Sequence, residues 1–364
     1  MARTRLEREI AGLIGADGPM PLSRFMGLCL GHPRDGYYMT RDPFGSKGDF
    51  ITAPEVSQMF GEMIGVWAMS QWQQMGKPSA FHLIELGPGR GTLMMDLLRA
   101  SRAMPDFRQA ARVSLVEMSP LLQSAQKRSL QDAGVDIHWA GHIDEVPEGP
   151  SLIIANEFFD ALPIMQLQRT QDGFFERAIG LDAQGGLCFG LMPLGIAPPG
   201  FAKHAKPGDI VELSPASAQY AQAIAQRLIA HDGAGLIIDY GHGQSAIGDT
   251  LQAIRAHEKV SVLDRPGESD ITAHVDFEAL GQAFVGAGVQ ISDVITQQDL
   301  LARLGLHTRA QMLAANASAR QRADLVAAVA RLAGPQQMGH LFKAMAVYAP
   351  GMASPAAFNQ EVTG

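Results

Sequence analysis

From residue 81 onward, apolar runs of strand length alternate with stretches whose apolar residues recur every three to four positions. FHLIEL (81–86) is a short apolar strand, GPGRG a turn, and TLMMDLLRAS (92–101) has the spacing of an amphipathic helix. The unit then repeats. ARVSLVEM (111–118) is a strand closing at Glu117, PLLQSAQKRSL (120–130) a helix, VDIHWA (135–140) a third strand and SLIIANEFF (151–159) a fourth. Between Pro163 and Leu213 the helical period vanishes. Short alternating runs such as IMQLQR, FFERAIGL and GLCFGLM, separated by QDG and AQGG, predict an antiparallel β insertion over about 164–213. SPASAQYAQAIAQRLIA (214–230) restores a helix and GAGLIIDYG (233–241) a fifth strand, with an irregular stretch to about Thr272. DFEALGQAFVGAG (276–288) is a helix, VQISDVI (289–295) a sixth strand, and HLFKAMAVYA (340–349) a seventh, with alanine-rich helices at about 297–333. The pattern predicts an α/β fold with a mainly parallel sheet covered by helices on both faces. Before residue 81 the chain reads as a helical arm interrupted by the glycine-rich stretch Gly36 to Pro54, and residues 351–364 are expected to fray.

Composition narrows the class. The 364 residues are 46% hydrophobic and 18% charged, which suits one decorated globular domain and argues against a disordered chain or a coiled coil. No window approaches the roughly 18 uninterrupted apolar residues of a membrane span, and MARTRLEREI mixes acids with its arginines, unlike a leader. The two cysteines, Cys29 and Cys188, lack metal-ligand spacing and form no disulfide framework, so no metal and a reducing, cytoplasmic setting are expected. A net charge of −8 lacks the basic footprint of a nucleic-acid binder. Such a surface suits a cationic partner segment better than a polyanion.

Candidate chemistry gathers where strands end. In ELGPGRGT, Gly87, Gly89 and Gly91 follow a strand and open a helix, turning backbone N–H groups toward a ligand over the strand tips. The spacing G-x-G-x-G is neither the dinucleotide fingerprint nor a phosphate loop. Glu117, at the next strand tip, is placed to accept both hydroxyls of a ribose, and turn plus acidic tip is an S-adenosyl-L-methionine arrangement. Glu85 is a candidate for the amino acid part of that cofactor, or a solvent-facing carboxylate. His138 and Trp139 could border an adenine, or Trp139 could be a core aromatic. At the fourth strand tip, Asn156, Glu157 and Asp160 form a polar cluster directly after a buried apolar run, where an acceptor would be presented to the methyl. A guanidinium acceptor would suit two carboxylates, Glu157 and Asp160. The bland alternative is that Asp160 caps a turn and Asn156 ties down the loop. Asp239, Tyr240, His242, His274 and Asp276 are further rim candidates.

The stretches GYYMTRDPFGSKGDFITAPEVSQMFGEMIG (36–65), HLIELGPGRGTLMMDLLR (82–99), ANEFFDALP (155–163), LIIDYGHG (236–243) and DITAHVDFEAL (270–280) resemble the MidA-like family of class I S-adenosyl-L-methionine-dependent methyltransferases. The resemblance spans most of the chain. It implies a seven-strand Rossmann-like core (81–350) with an N-terminal arm, a β insertion and extra C-terminal helices. For the mitochondrial members, which are complex I assembly factors, it implies dimethylation of an arginine in the 49-kDa-type subunit. By that similarity Gly87, Gly89, Gly91 and Glu117 fall on the cofactor motif, and Asn156, Glu157 and Asp160 on the motif beside the transferred methyl. Asp49, Phe50, Thr52 and Glu55 would then be a cofactor lid within residues 1–80, or alternatively a tight turn before a helix start. A small-molecule acceptor and a non-catalytic assembly factor stay open, as does the oligomeric state, including a homodimer.

Overall fold

The computed structural model describes residues 3–41 and 52–358. The first half of the main sheet comes from β1 (Phe81–Leu86), β2 (Ala111–Val116), β3 (Ile137–Ala140) and β4 (Ser151–Asn156). All six residues of β4 are buried, as a strand covered on both faces requires, and this is why its sequence is a continuous apolar run. An insertion follows: β5 (Met165–Arg169), β6 (Phe174–Leu181), β7 (Leu187–Pro193) and β8 (Ile210–Leu213). These pair antiparallel in the order β7–β6–β5–β8, and Met20–Pro21 from the N-terminal region adds to β6. The sheet then resumes with β9 (Gly233–His242). A small antiparallel sheet of β10 (Gln252–Arg255), β11 (Glu258–Val260) and β12 (Asp270–Thr272) precedes the last strand, β13 (Phe342–Tyr348).

The main sheet runs Gln290–Ile291, β13, β9, β4, β1, β2, β3, with β13 antiparallel to its neighbours and the others from β9 to β3 parallel. This is the mostly parallel seven-position sheet that the alternation predicts. On one face pack α3 (Gln58–Gln74) and α4 (Thr92–Ala100), with Trp67, Trp72 and Phe107 in a common core. The opposite face is closed by α6 (Pro215–His231) and α7 (Phe277–Gly286) through Ile224, Leu228, Phe277 and Phe284, while α5 (Pro120–Ser129) follows β2. The alanine-rich region forms α8 (Gln297–Arg303), α9 (Leu306–Ala314) and α10 (Ala319–Ala333). At the N-terminus α1 (Arg5–Asp17) and α2 (Leu22–Gly31) share a third core with the insertion and the small sheet: Leu6, Ile10, Phe25 and Met26 meet Ile179 and Ile271. Among the described residues no helix is long and apolar enough to cross a membrane.

Three expectations change. The stretch before Thr272 is irregular only in part: a hairpin joins β10 to β11, its turn made by Ala256 and His257 at φ of 52° and 64°. Neither residue signals a left-handed turn as Gly or Asn would. The sixth strand is not continuous. Ser292 donates its N–H to the Ala346 carbonyl while its hydroxyl accepts from the Ala346 N–H, both at 2.9 Å, and this side-chain substitution in the ladder splits the strand into Gln290–Ile291 and Ile295–Thr296. Residues 351–358, expected to fray, pack instead: Phe358 is buried in the main core and the Ala357 carbonyl accepts from Arg303 at 2.8 Å. Residues 359–364 lie outside the described residues.

Candidate functional site

The carboxyl ends of β1, β2, β4 and β9 open into one cavity of about 250 Å³. After β1 the chain turns through Gly87, Gly89 and Gly91 at φ of 62°, 53° and 80°, a left-handed path that side chains rarely take. Space is short as well. A Cβ at Gly87 would sit 3.0 Å from the Phe158 ring, so the turn brings backbone to the cavity wall only because the residue is glycine. Glu117 follows β2 and is held from both sides, its Oε1 accepting from the Ser119 N–H at 2.8 Å and its Oε2 from Gln126 Nε2 at 3.2 Å. The same Gln126 nitrogen donates to the Gly89 carbonyl at 2.8 Å, and the Gln126 oxygen accepts from the Trp139 indole at 2.9 Å. Gln126 is fully buried on α5 and couples the glycine turn to the acidic strand tip. Its only trace in the sequence is a glutamine four positions after Leu122 on the apolar face of that helix.

Trp139 therefore acts behind Gln126 and lies off the cavity wall, while His138 is exposed; neither borders the space expected for an adenine. That wall is made by Met118, Leu122, Phe158 and Tyr220, with Phe158 and Tyr220 edge to face at 4.9 Å. Glu85 is 3% exposed and one of its oxygens is buried without a hydrogen-bond partner. Burial pushes its pKa up to about 8 and that of Glu117 to about 7, against the hydrogen bonds that favour the Glu117 anion.

The opposite half of the cavity is built on the tips of β4 and β9. Asp239, fully buried on β9, gathers the backbone: its Oδ2 accepts from the N–H groups of Phe158, Phe159 and Asp160 at 3.0–3.2 Å, and its Oδ1 from Tyr240 N at 2.9 Å. Burial, with Asp160 and Glu157 nearby, raises its pKa against these donors. Asp239 thus shapes the turn, and Tyr240 reaches the cavity, where its hydroxyl donates to Asp160 Oδ2 at 2.7 Å. Glu157 begins the turn at φ 51°, an uncommon conformation for a residue with a side chain. Its Oε1 accepts from the Ala53 N–H at 3.1 Å and from Asn156 Nδ2 at 3.3 Å. Buried Asn156 Oδ1 and Asp160 Oδ1 have no hydrogen-bond partner. Burial lifts Glu157 to about 8 and Asp160 to about 6.

The segment after residue 51 fastens across this cluster. Thr52 lines the cavity, Ala53 holds Glu157, and Glu55 accepts from the Thr92 hydroxyl at 2.6 Å at the start of α4. Asp49 and Phe50 lie outside the described residues. Two further wall residues lie in stretches that carry the family resemblance but are not singled out by the sequence: Tyr38, in the short turn Tyr37–Thr40, donates its hydroxyl to Asp270 Oδ1 at 2.9 Å, and both face the same cavity. The remaining rim candidates part company with the site. His242, His274 and Asp276 line a separate cavity of about 420 Å³ behind Phe159, and Asp276 caps α7 through the Ala279 N–H at 3.0 Å.

The residues present fit S-adenosyl-L-methionine. The glycine turn gives close backbone approach, Glu117 a two-oxygen ribose acceptor, and Met118, Leu122 and Phe158 an apolar wall, whereas Glu85 and Asn156 are buried behind the cavity and are not among its described lining residues. Replacing Glu117 with Ala is expected to weaken binding of the demethylated cofactor by about 1–3 kcal/mol, read by calorimetry; unchanged affinity would refute the ribose role.

A family model carrying the description "Putative S-adenosyl-L-methionine-dependent methyltransferase" matches residues 63–295. The protein named "Protein arginine methyltransferase NDUFAF7, mitochondrial" from Xenopus tropicalis is 37% identical over 361 residues, covering 92% of this chain and 83% of its own. Its Homo sapiens counterpart is 34% identical, covering 94% and 83%. In structure, the chain resembles a COG1565 superfamily member from Burkholderia thailandensis bound to S-adenosyl-homocysteine, with TM-score 0.86, 26% identity and coverage of 98% and 94%.

Proposed function

The chain belongs to the S-adenosyl-L-methionine-dependent methyltransferase family, and from that premise we propose that it methylates an arginine of a protein, a respiratory complex I subunit of the 49-kDa type. One observation carries the choice of acceptor: away from the ribose end, the cavity is lined by Glu157, Asp160 and Asp270, and no Lys, Arg or His side chain is among its described lining residues. A guanidinium is cationic, planar and forked, and carboxylates both align it and offset its repulsion from a second cation. When bound, the cofactor supplies an electrophilic methyl on a positively charged sulfur. The chain's own part is to hold the acceptor nitrogen in line and to take the proton which that nitrogen loses on gaining the methyl. Glu157 is placed for the second task by the Ala53 N–H and Asn156. Asp160, tied to Tyr240, aligns the cation. The curated relatives named as arginine methyltransferases support this reading. A cytoplasmic setting belongs to the same proposal, and both cysteines are free thiols.

Incubation with radiolabelled S-adenosyl-L-methionine and cell extract, followed by mass spectrometry, tests it. The expected result is label on an arginine of one complex I subunit. A labelled metabolite beside an unlabelled protein fraction would overturn the arginine claim.

A further inference from the structure

The stretch DITAHVDFEAL is used by the fold at its far end, where Asp276 caps α7, while its first residue opens a strand and turns its side chain to the cavity. Asp270 opens β12, is only 6% exposed, and faces the cavity that also holds Glu157 and Asp160. Tyr38 fixes the carboxylate through its hydroxyl at 2.9 Å, a contact between residues 232 apart in the chain. The two come from the small sheet and the N-terminal region, so both are additions to the main sheet that converge on its site.

Position within the cavity distinguishes acceptor from cofactor. The glycine turn and Glu117 sit over β1 and β2, whereas Asp160 and Tyr240 belong to the tips of β4 and β9, on the other side of β1 in the sheet. Asp270 lies with the second group. The Asp160 main chain is bound directly to the segment that follows β12, its carbonyl accepting from the Ala273 N–H at 3.1 Å. Asp160 Oδ2 is occupied by the Tyr240 hydroxyl while its Oδ1 is buried without a partner. On the same cavity α2 presents Gly27, Leu30 and Gly31, and a Cβ at Gly31 would meet no atom within 4 Å.

A guanidinium directs N–H groups along more than one edge of its plane, so two carboxylates from one loop leave an edge unserved, whereas an ammonium has no such plane. We propose that Asp270, held by Tyr38, is an acceptor-binding carboxylate that engages the edge of the substrate guanidinium turned away from Glu157 and Asp160. This rests on the arginine reading above and adds a residue pair that selects for it.

The test is steady-state methylation of the recombinant 49-kDa-type subunit by the full-length protein, with calorimetric binding of S-adenosyl-homocysteine as the control for a folded cofactor half. Asp270→Asn should raise the acceptor KM at least 20-fold and leave kcat and S-adenosyl-homocysteine affinity within about threefold. Tyr38→Phe, which keeps the ring and removes the hydroxyl that holds the carboxylate, should raise KM about fivefold and decides the matter if Asp270→Asn fails to fold. Arginine methylation with KM unchanged in both variants overturns this inference alone. Methyl transfer by the unsubstituted protein to some other group overturns the arginine reading and this inference with it.

Discussion

Glu157→Gln should lower methyl transfer by about 10³-fold while leaving S-adenosyl-homocysteine affinity nearly unchanged. The amide retains an oxygen for the Ala53 N–H, so the segment that crosses the site stays fastened, and what is lost is the negative charge and the capacity to take a proton. The pH dependence follows from burial. Glu157 is pushed up to about 8, so in the acceptor-free protein it is mostly protonated at neutral pH. A cationic acceptor favours the ionised form, so its binding releases a proton and its apparent affinity rises as pH increases toward that value. The acceptor KM should therefore fall between about pH 6.5 and 8.5, and Glu157→Gln should flatten that limb of the profile. A glutamine variant with parental activity at pH 7.5 would exclude Glu157 from the chemistry.

Asp239→Ala should be the most destabilising single substitution at the site. The carboxylate is fully buried and serves four backbone N–H groups, those of residues 158, 159, 160 and 240. Truncation strands all four at once, for a cost of about 3–5 kcal/mol, given about 1–3 kcal/mol for each buried donor left without a partner and partial relaxation. By scanning calorimetry this corresponds to a fall in Tm of about 6–15 °C. Activity should go with it, since the turn that Asp239 gathers carries Glu157 at its start and Asp160 at its end. A shift below about 2 °C would mean that the turn is held by other contacts. Tyr240→Phe is the comparison: it removes one hydroxyl from Asp160 and should cost far less stability.

The main sheet was legible in the sequence for a simple reason. A strand covered on both faces, such as Ser151–Asn156, cannot tolerate polar side chains except at its tip, so apolar run and polar tip mark the strand and the site together. The insertion was equally plain from its alternation. What escaped was structure made at a distance. Met20–Pro21 joins the insertion sheet through two residues, too few to carry a period, and the turn at Ala256 and His257 uses left-handed conformations without the residues that advertise them. The site divides the same way. Gly87, Gly89, Gly91, Glu117, Glu157 and Asp160 each sit directly after a strand and come together through the sheet. Gln126 is concealed as one polar position on an amphipathic helix, and the Tyr38–Asp270 pair exists only once three separate parts of the chain have docked.

The placement of β13 bears on how the chain acquires its shape during synthesis. This strand, residues 342–348, fills the gap between β9 and the Gln290–Ile291 pairing, although both of those leave the ribosome well before it. Until it arrives, β9 can pair with β4 on one side only, and the edge from Ala234 to Tyr240, nearly all of it buried in the finished fold, is unprotected. A nascent chain of some 330 residues is thus a sticky intermediate that is one strand short. Completion of the sheet is a late event in which a segment must slot between two earlier ones.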